Sequence, residues 1–498
     1  MGASLLSLGG CASLDAQPEM LRSADAMERA VGMPGHLILR DEATAEIATR
    51  ELLDKGLSAE QAAQVALLNN PRVRGAMLSI GVSRADFVQS TLYSNPALFL
   101  SVLLPDGGGR PYVEVNLAQN IAELWLVPAR TKVAQRDLDQ VVLEAARVTA
   151  NVVLDVRRAY VRAVQSDAQI ELASDGLDIA TKLVEIAALR QQAGSGSEVD
   201  LNLARATKLQ AETNLRNAKL AAAEAKAELS RLLGLSDDPR QMVLTGSTRE
   251  CSTWNVSAEQ LQKFARAARL DLQIVDRSVE SAEARTRLER VRFLRSLEIG
   301  FSFQLAESRS RGDRDWLAET LFDSLQSGAP TPPNLMPRAT EGPNAIAGPT
   351  LSLELPVWDQ NQAQIAKADR LLEQARQERD AMLVDAAQDI HIGLARVRTA
   401  SENARFYRDE FVPTAKRNVS LAQDGYRIGR VSFLSLLEAQ RAYITTRTNQ
   451  LDALRDAALA EIDLERVTGR PVAALLDRSK PNENQNPAVP SDAVEIAP

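Results

Sequence analysis

One short turn occurs twice in this chain, and each copy lies between helical stretches far longer than a globular domain uses. The first copy reads Ala193-Gly194-Ser195-Gly196-Ser197-Glu198-Val199-Asp200-Leu201, the second Ile428-Gly429-Arg430-Val431-Ser432-Phe433-Leu434-Ser435-Leu436. Gly194 matches Gly429, Ser197 matches Ser432, Leu201 matches Leu436 and Ala204 matches Ala439, all at one constant spacing. A duplicated helical hairpin makes the chain an internal tandem repeat. Residues 129–192 contain no proline and a single glycine, Gly176. Apolar residues fall at Leu138, Val141, Ala145, Val148, Val152, Val156, Ala159 and Ala163, the three-and-four spacing of a coiled-coil seam. At about 1.5 Å per residue such a helix extends roughly 95 Å, well beyond the usual helix of about 8–20 residues.

The repeat organises the whole chain. Residues 1–11 form a short signal-like segment, and 12–57 are expected to be an extended N-terminal segment, broken by Pro18, Pro34 and Gly35. The first repeat is 58–245 and the second 246–476, with 477–498 a polar, proline-rich tail that is expected to be disordered. Helices are expected over 58–69, from Pro71 to about 91, and over 129–192, 197–233, 257–295, 361–428 and 430–468. With a net charge of −8, the chain lacks the basic footprint of a nucleic-acid binder. No apolar run approaches the roughly 18–20 residues of a membrane-spanning helix, which leaves β-strands as the one way to span a bilayer.

Four strands fit that role: 96–104, 112–118, 297–305 and 349–357. Each is close to the length of a tilted transmembrane strand. Leu297, Ile299, Phe301 and Phe303 alternate with Glu298, Gly300, Ser302 and Gln304, and Leu351 and Leu353 alternate with Ser352 and Glu354. The apolar set is the expected lipid-facing surface. Trp125 and Trp358 occupy matching places after the second strand of each pair, and a loop at 306–347 replaces the tight Gly107–Gly109 turn. Four strands cannot close, and open edges in lipid leave backbone groups unpaired. Three chains would pool about twelve strands into a barrel with an aqueous lumen, and their helices into a second tube.

In this order the motifs resemble the TolC-family outer-membrane factors, most closely the lipoprotein branch that serves resistance–nodulation–division efflux pumps. The resemblance covers residues 58–476 and rests on Leu68-Asn69-Asn70-Pro71, the two Gly…Ser…Leu…Ala tips and Leu437-Glu438-Ala439-Gln440-Arg441. It implies a mainly α chain with a small membrane β part. It also implies a homotrimer, in which an α-helical barrel of long hairpins continues into a twelve-stranded transmembrane β-barrel. A periplasmic adaptor (membrane fusion protein), an inner-membrane pump and outer-membrane lipid are the implied partners. Leu8-Gly9-Gly10-Cys11 resembles a bacterial lipobox, so a covalent lipid on Cys11 is expected, and Ala12 implies sorting to the outer membrane. The segment before Cys11 is short and lacks Lys and Arg, so the true start is expected upstream.

Nothing in the sequence points to catalysis, a cofactor or a metal centre: the two histidines, His36 and His391, stand in unrelated contexts. Cys251 reads as an unpaired thiol in a linker. By resemblance, Asp200, Glu438 and Ser435 fall at the periplasmic entrance gate, with Ser435 standing where the family places an acid. Symmetry-related carboxylates would repel one another and attract cations; otherwise they are solvated helix charges. Gly194, Ser197, Val199, Gly429, Val431, Ser432 and Leu434 form the expected adaptor-docking tips, the glycines sitting where a Cβ would clash. The function that follows is a passive duct exporting small molecules, whether drugs, toxic organics or metal ions. Two alternatives are a duct for type I protein secretion and a soluble periplasmic coiled-coil scaffold, in which the alternating strands would form a buried sheet.

Overall fold

The computed structural model describes residues 13–40, 42–104, 111–235, 242–246, 254, 256–309, 317–330 and 340–471. Cys11, Cys251, the Gly107–Gly109 turn and the 477–498 tail lie outside the described residues, as do parts of the 306–347 loop. The chain divides into two compact units, one of residues 1–85, 137–279 and 374–498, the other of residues 86–136 and 280–373.

The first unit is helical. Its N-terminal part is not extended as expected: α1 spans Gln17–Val31, a 3-10 turn Gly35–Leu39 and α2 Glu42–Asp54. Pro18 lies in the first turn of α1, where a missing N–H costs nothing, so it starts the helix it was read as breaking. Gly32 ends that helix at φ +69°. The inner face of α1, with Met27, Ala30 and Val31, joins Leu67, Leu68, Ala146, Val153 and Leu154 in one buried cluster.

α3 (Ala59–Asn69) and α4 (Pro71–Thr91) are followed by α5 (Glu123–Gln192), 70 residues without a break, and α6 (Glu198–Leu233). The second repeat supplies α7 (Ala258–Ala268), α8 (Leu270–Val291), α10 (Gln362–Phe406), α11 (Val412–Arg427) and α12 (Phe433–Thr468). The α5 seam is buried at Leu138, Ala145, Val152, Val156, Ala159 and Ala163, while Val148 is 37% exposed. The expected helix 361–428 is interrupted. Tyr407–Phe411 form a π-turn two residues before Pro413, which has no N–H to donate and whose ring clashes with the preceding helical turn.

The repeat extends to side-chain detail. Ser58 with Gln61 and Ser257 with Gln260 make matching capping boxes on α3 and α7. Twelve residues after each serine stands a buried side chain, Asn70 at 3% and Arg269 at 7% exposure. Asn70 Nδ2 donates to Leu232 O at 2.7 Å, and Arg269 Nη1 donates to Val467 O at 3.2 Å. The accepting carbonyls close α6 and α12, which end at Gly234 (φ +74°) and Gly469 (φ +65°). A Cβ on either glycine would meet backbone of the facing corner at 2.8–2.9 Å. Each long helix thus abuts the start of a shorter one, α6 at α4 and α12 at α8. Arg269 also pairs with Asp271 at 2.7 Å and Asp389 at 3.4 Å. Burial alone would raise the Asp271 carboxyl, but the Arg269 hydrogen bond and charge outweigh it and hold it below the usual aspartate range.

The second unit holds one antiparallel sheet in the order β1-β2-β3-β4: Ala97–Leu103, Tyr112–Asn120, Leu297–Arg309 and Thr340–Leu353. β4 begins and ends earlier than the expected 349–357, and the 306–347 loop contains an eleven-residue helix, α9 (Leu317–Ser327). Pro343 and Pro349 masked the strand in sequence. β4 is an edge strand, where a residue unable to donate to the ladder is tolerated.

Candidate functional site

The two hairpin tips both belong to the first unit. At the end of α5, Gly194 takes φ +67° with open space around it, and Ser195 N–H turns back to Arg190 O at 2.9 Å. A Cβ on Gly196 would stand 2.8 Å from Gln191 N. The second tip repeats the device: Gly429 has φ +74° and open space, and the N–H groups of Arg430 and Val431 both reach Gly425 O, at 2.8 and 3.2 Å. A Cβ on Gly425 would collide with Val431 Cγ2. The expected clash therefore lies at Gly196 and Gly425, whereas Gly194 and Gly429 are required for their left-handed dihedrals. Ser197 Oγ accepts from Val199 N at 3.1 Å, and Ser432 Oγ accepts from Ser435 N at 3.1 Å, each capping the returning helix.

The tips are joined. Leu183, Ala187, Leu201 and Ala204 of the first hairpin bury against Tyr426, Phe433, Leu436 and Leu437 of the second. Arg190 Cζ lies 4.5 Å from the Tyr426 ring centroid, and Arg190 Nη1 donates to Tyr426 O at 3.1 Å. A guanidinium over an aromatic face adds a cation–π attraction to that hydrogen bond. Sequence reasoning named neither residue. A Tyr and a Phe flanking the second turn, in a chain only 4% aromatic, were the signal available.

Of the candidate gate residues, Asp200 sits in the first turn of α6, half-buried and with no ion-pair partner among the described residues. Glu438 pairs with Arg441 at 3.2 Å, both about 60% exposed, a geometry worth little in free energy. Ser435 stands 2.9 Å from the Ser432 hydroxyl, within the cap. Val199 and Leu434 are exposed, at 64% and 57%, while Val431 packs over Gly425.

The sheet sorts most of its side chains by face, with Phe99 and Ile346 on the polar side and Gln119 on the apolar side as exceptions. Register places Phe301 opposite Leu117 and Pro349, and Ile299 opposite Leu351. Leu297 pairs with Leu353, and Phe303 with Val115 and Ala347. Leu98, Leu100 and Val102 of β1 continue the same face through Leu117, Val115 and Val113. The opposite face carries Glu114, Asn116, Ser302, Gln304, Thr350 and Ser352. Leu98, Phe301 and Leu351 are 70%, 52% and 70% exposed, so no described element of the sheet's own unit covers this apolar face. Among the described residues of that unit, the strands do not form the buried sheet that a soluble scaffold requires. Among the described residues no helix is long and apolar enough to cross a membrane.

The family model for outer membrane efflux proteins matches residues 62–235 and 261–470. The cobalt-zinc-cadmium resistance protein CzcC of Cupriavidus metallidurans is 23% identical over 417 residues, 83% of this chain and 90% of that protein. Among solved structures, CusC superposes with a TM-score of 0.64 at 17% identity, covering 82% of this chain and 92% of that one. VceC of Vibrio cholerae does so at 0.63 and 16% identity, covering 83% and 96%. With most of both repeats inside the matched segments, the chain belongs to the outer membrane efflux protein family.

Proposed function

We propose that this outer-membrane efflux protein works as a passive trimeric duct, the outer component of a tripartite pump. One observation carries the reading: among the described residues, a four-stranded sheet with one uncovered apolar face and two unpaired edges, β1 and β4. In hydrocarbon each unpaired backbone group costs several kcal/mol, so the edges must find partners. β1 of one copy pairing with β4 of the next closes about twelve strands around an axis after three copies. The length fits. The nine residues of Leu297–Leu305, at about 3.3 Å each and tilted about 40°, cover roughly 23 Å of membrane normal, close to the ~25 Å apolar band of such barrels.

The joined tips then form the periplasmic entrance, with three copies of Asp200 and Glu438 around it. Arg441 offsets part of the Glu438 charge, so Asp200 dominates the acidic field. Exposed Val199 and Leu434 offer the adaptor an apolar foothold. A lipid on Cys11 adds a second membrane attachment. For cargo, the likeness to CzcC and the acidic entrance favour divalent metal cations over neutral organics. Pump energy comes from an inner-membrane partner. The test is paired. Purified protein in planar bilayers should give cation-selective conductance, and deleting the gene should lower tolerance to zinc, cobalt or cadmium. A protein without channel activity refutes the duct; unchanged metal tolerance with lost drug tolerance refutes the cargo.

A further inference from the structure

The corner between β4 and α10, within the sheet unit, carries chemistry that the duct does not use. Asn361 stands there at φ +64°, the one non-glycine residue with positive φ among the described residues, and is 2% exposed. Such backbone persists only where its surroundings hold it. Here Asn361 Nδ2 donates to Glu289 O at 2.7 Å and Glu289 Oε2 at 2.9 Å, and Oδ1 accepts from Arg295 Nη2 at 2.9 Å. The corner opens a cleft of about 640 Å³. Its charges balance: Arg292 lies 2.7 Å from Glu289, and Arg295 lies 3.1 Å from Asp359. Both guanidiniums are about half exposed, at 47% and 48%, and among the described residues only one nitrogen of each is engaged. Three edges of the cleft thus stay open to a ligand: free N–H groups on each arginine, and Asp359, which is 69% exposed.

Apolar side chains lead up to this cleft. Leu351, Leu353, Leu355 and Val357 are exposed at 70%, 43%, 68% and 62%, a row that begins on the apolar face of the sheet and runs on past the end of β4. It ends at Trp358, 88% exposed, one residue before Asp359, and Phe293, 53% exposed, directly follows Arg292. An apolar row that gives way within one residue to a charge-balanced cleft, with aromatic rings at the step, has the profile of hydrocarbon meeting headgroups. We propose that the cleft binds the headgroup of a zwitterionic glycerophospholipid. Its phosphate sits on Arg292 and Arg295, its primary ammonium on Asp359, and its acyl chains lie along Phe293 and Trp358. Glu289 and Asp359 disfavour a lipid that brings negative charge alone. This inference rests on the lipid-facing reading of the sheet.

The test is native mass spectrometry of the full chain after reconstitution in vesicles of equal phosphatidylethanolamine and phosphatidylglycerol. One phosphatidylethanolamine per chain should survive extraction. In the double variant Arg292→Gln, Trp358→Ala, whose side chains are both solvent-exposed, retention should fall by about tenfold or more, the scale of one lost charge-assisted hydrogen bond. Oligomer mass and helical circular dichroism should not change. Equal retention of the two lipids, undiminished retention in the variant, or displacement of the lipid by millimolar inorganic phosphate would each overturn the assignment. A chain that never enters the vesicles refutes the lipid-facing sheet and the cleft together; one that enters and keeps no phosphatidylethanolamine refutes the cleft alone.

Discussion

Substituting neighbouring residues of β3 separates the two faces of the sheet by sign. Phe301 lies midway along Leu297–Leu305, flanked by Leu117 and Pro349, and is 52% exposed in the single chain. In the proposed barrel that exposed half would meet lipid. Phe301→Arg places a guanidinium near the bilayer midplane at about 2–4 kcal/mol per chain and forfeits roughly 1 kcal/mol of phenyl burial. Three symmetric copies raise the total to roughly 9–15 kcal/mol, comparable with the whole stability of a typical domain. Ser302 is one residue away, flanked by Asn116 and Gly348 on the polar face. Ser302→Arg should change stability by no more than about 0.5 kcal/mol. The assay is the yield of urea-resistant trimer in outer-membrane fractions. Near-complete loss for Phe301→Arg beside a normal yield for Ser302→Arg is expected. Equal losses, or a larger loss for Ser302→Arg, refute the facing.

Other consequences are local. Arg269→Met strands the Asp271 carboxylate and leaves Val467 O unpaired, so it should cost about 3–5 kcal/mol, against about 1–3 kcal/mol for Asn70→Ala at the matching corner, as read by thermal unfolding in detergent. The Arg269→Met deficit should also depend on pH. Asp271 has a lowered carboxyl in the fold, so its contribution is full above the ordinary aspartate range and fades as pH falls through the folded value; a deficit that grows in acid would contradict this. Asp200→Asn should reduce cation selectivity, measured as reversal potential in a salt gradient, more than Glu438→Gln does, because Arg441 already offsets Glu438. Gly196→Ala should loosen the first tip in hydrogen exchange more than Gly194→Ala, since its Cβ meets backbone at 2.8 Å while Gly194 pays only for its dihedral.

What was legible in the sequence was periodic. The turns at Gly194 and Gly429, the three-and-four seam along α5 and the alternation of β3 each repeat a spacing that one backbone geometry imposes. Proline was harder to read, because its meaning depends on position. Pro18 starts α1, Pro413 follows a π-turn inside what looked like one helix, and Pro343 and Pro349 sit in an edge strand. At the tips, Arg190 and Tyr426 meet only because two hairpins lie side by side, a contact no local pattern carries. The equivalence of Asn70 and Arg269 was hidden for another reason. The two residues differ in chemistry, and only the shared acceptor, a carbonyl at the end of a long helix, reveals the common role.

The closure of the sheet between copies can be tested by cysteine pairs across its two edges. Within one chain β1 and β4 are separated by β2 and β3, about 14 Å at the usual strand spacing, twice the reach of a disulfide at about 7 Å. A bond between them must therefore join two chains. In a Cys251→Ser background, cysteine at Leu98, Leu100 or Val102 is combined with cysteine at Leu351 and oxidised in intact outer membranes. The account predicts that one register yields covalent dimers and trimers on non-reducing gels and nothing larger. Monomers alone in every register, or a ladder running past three, would contradict it.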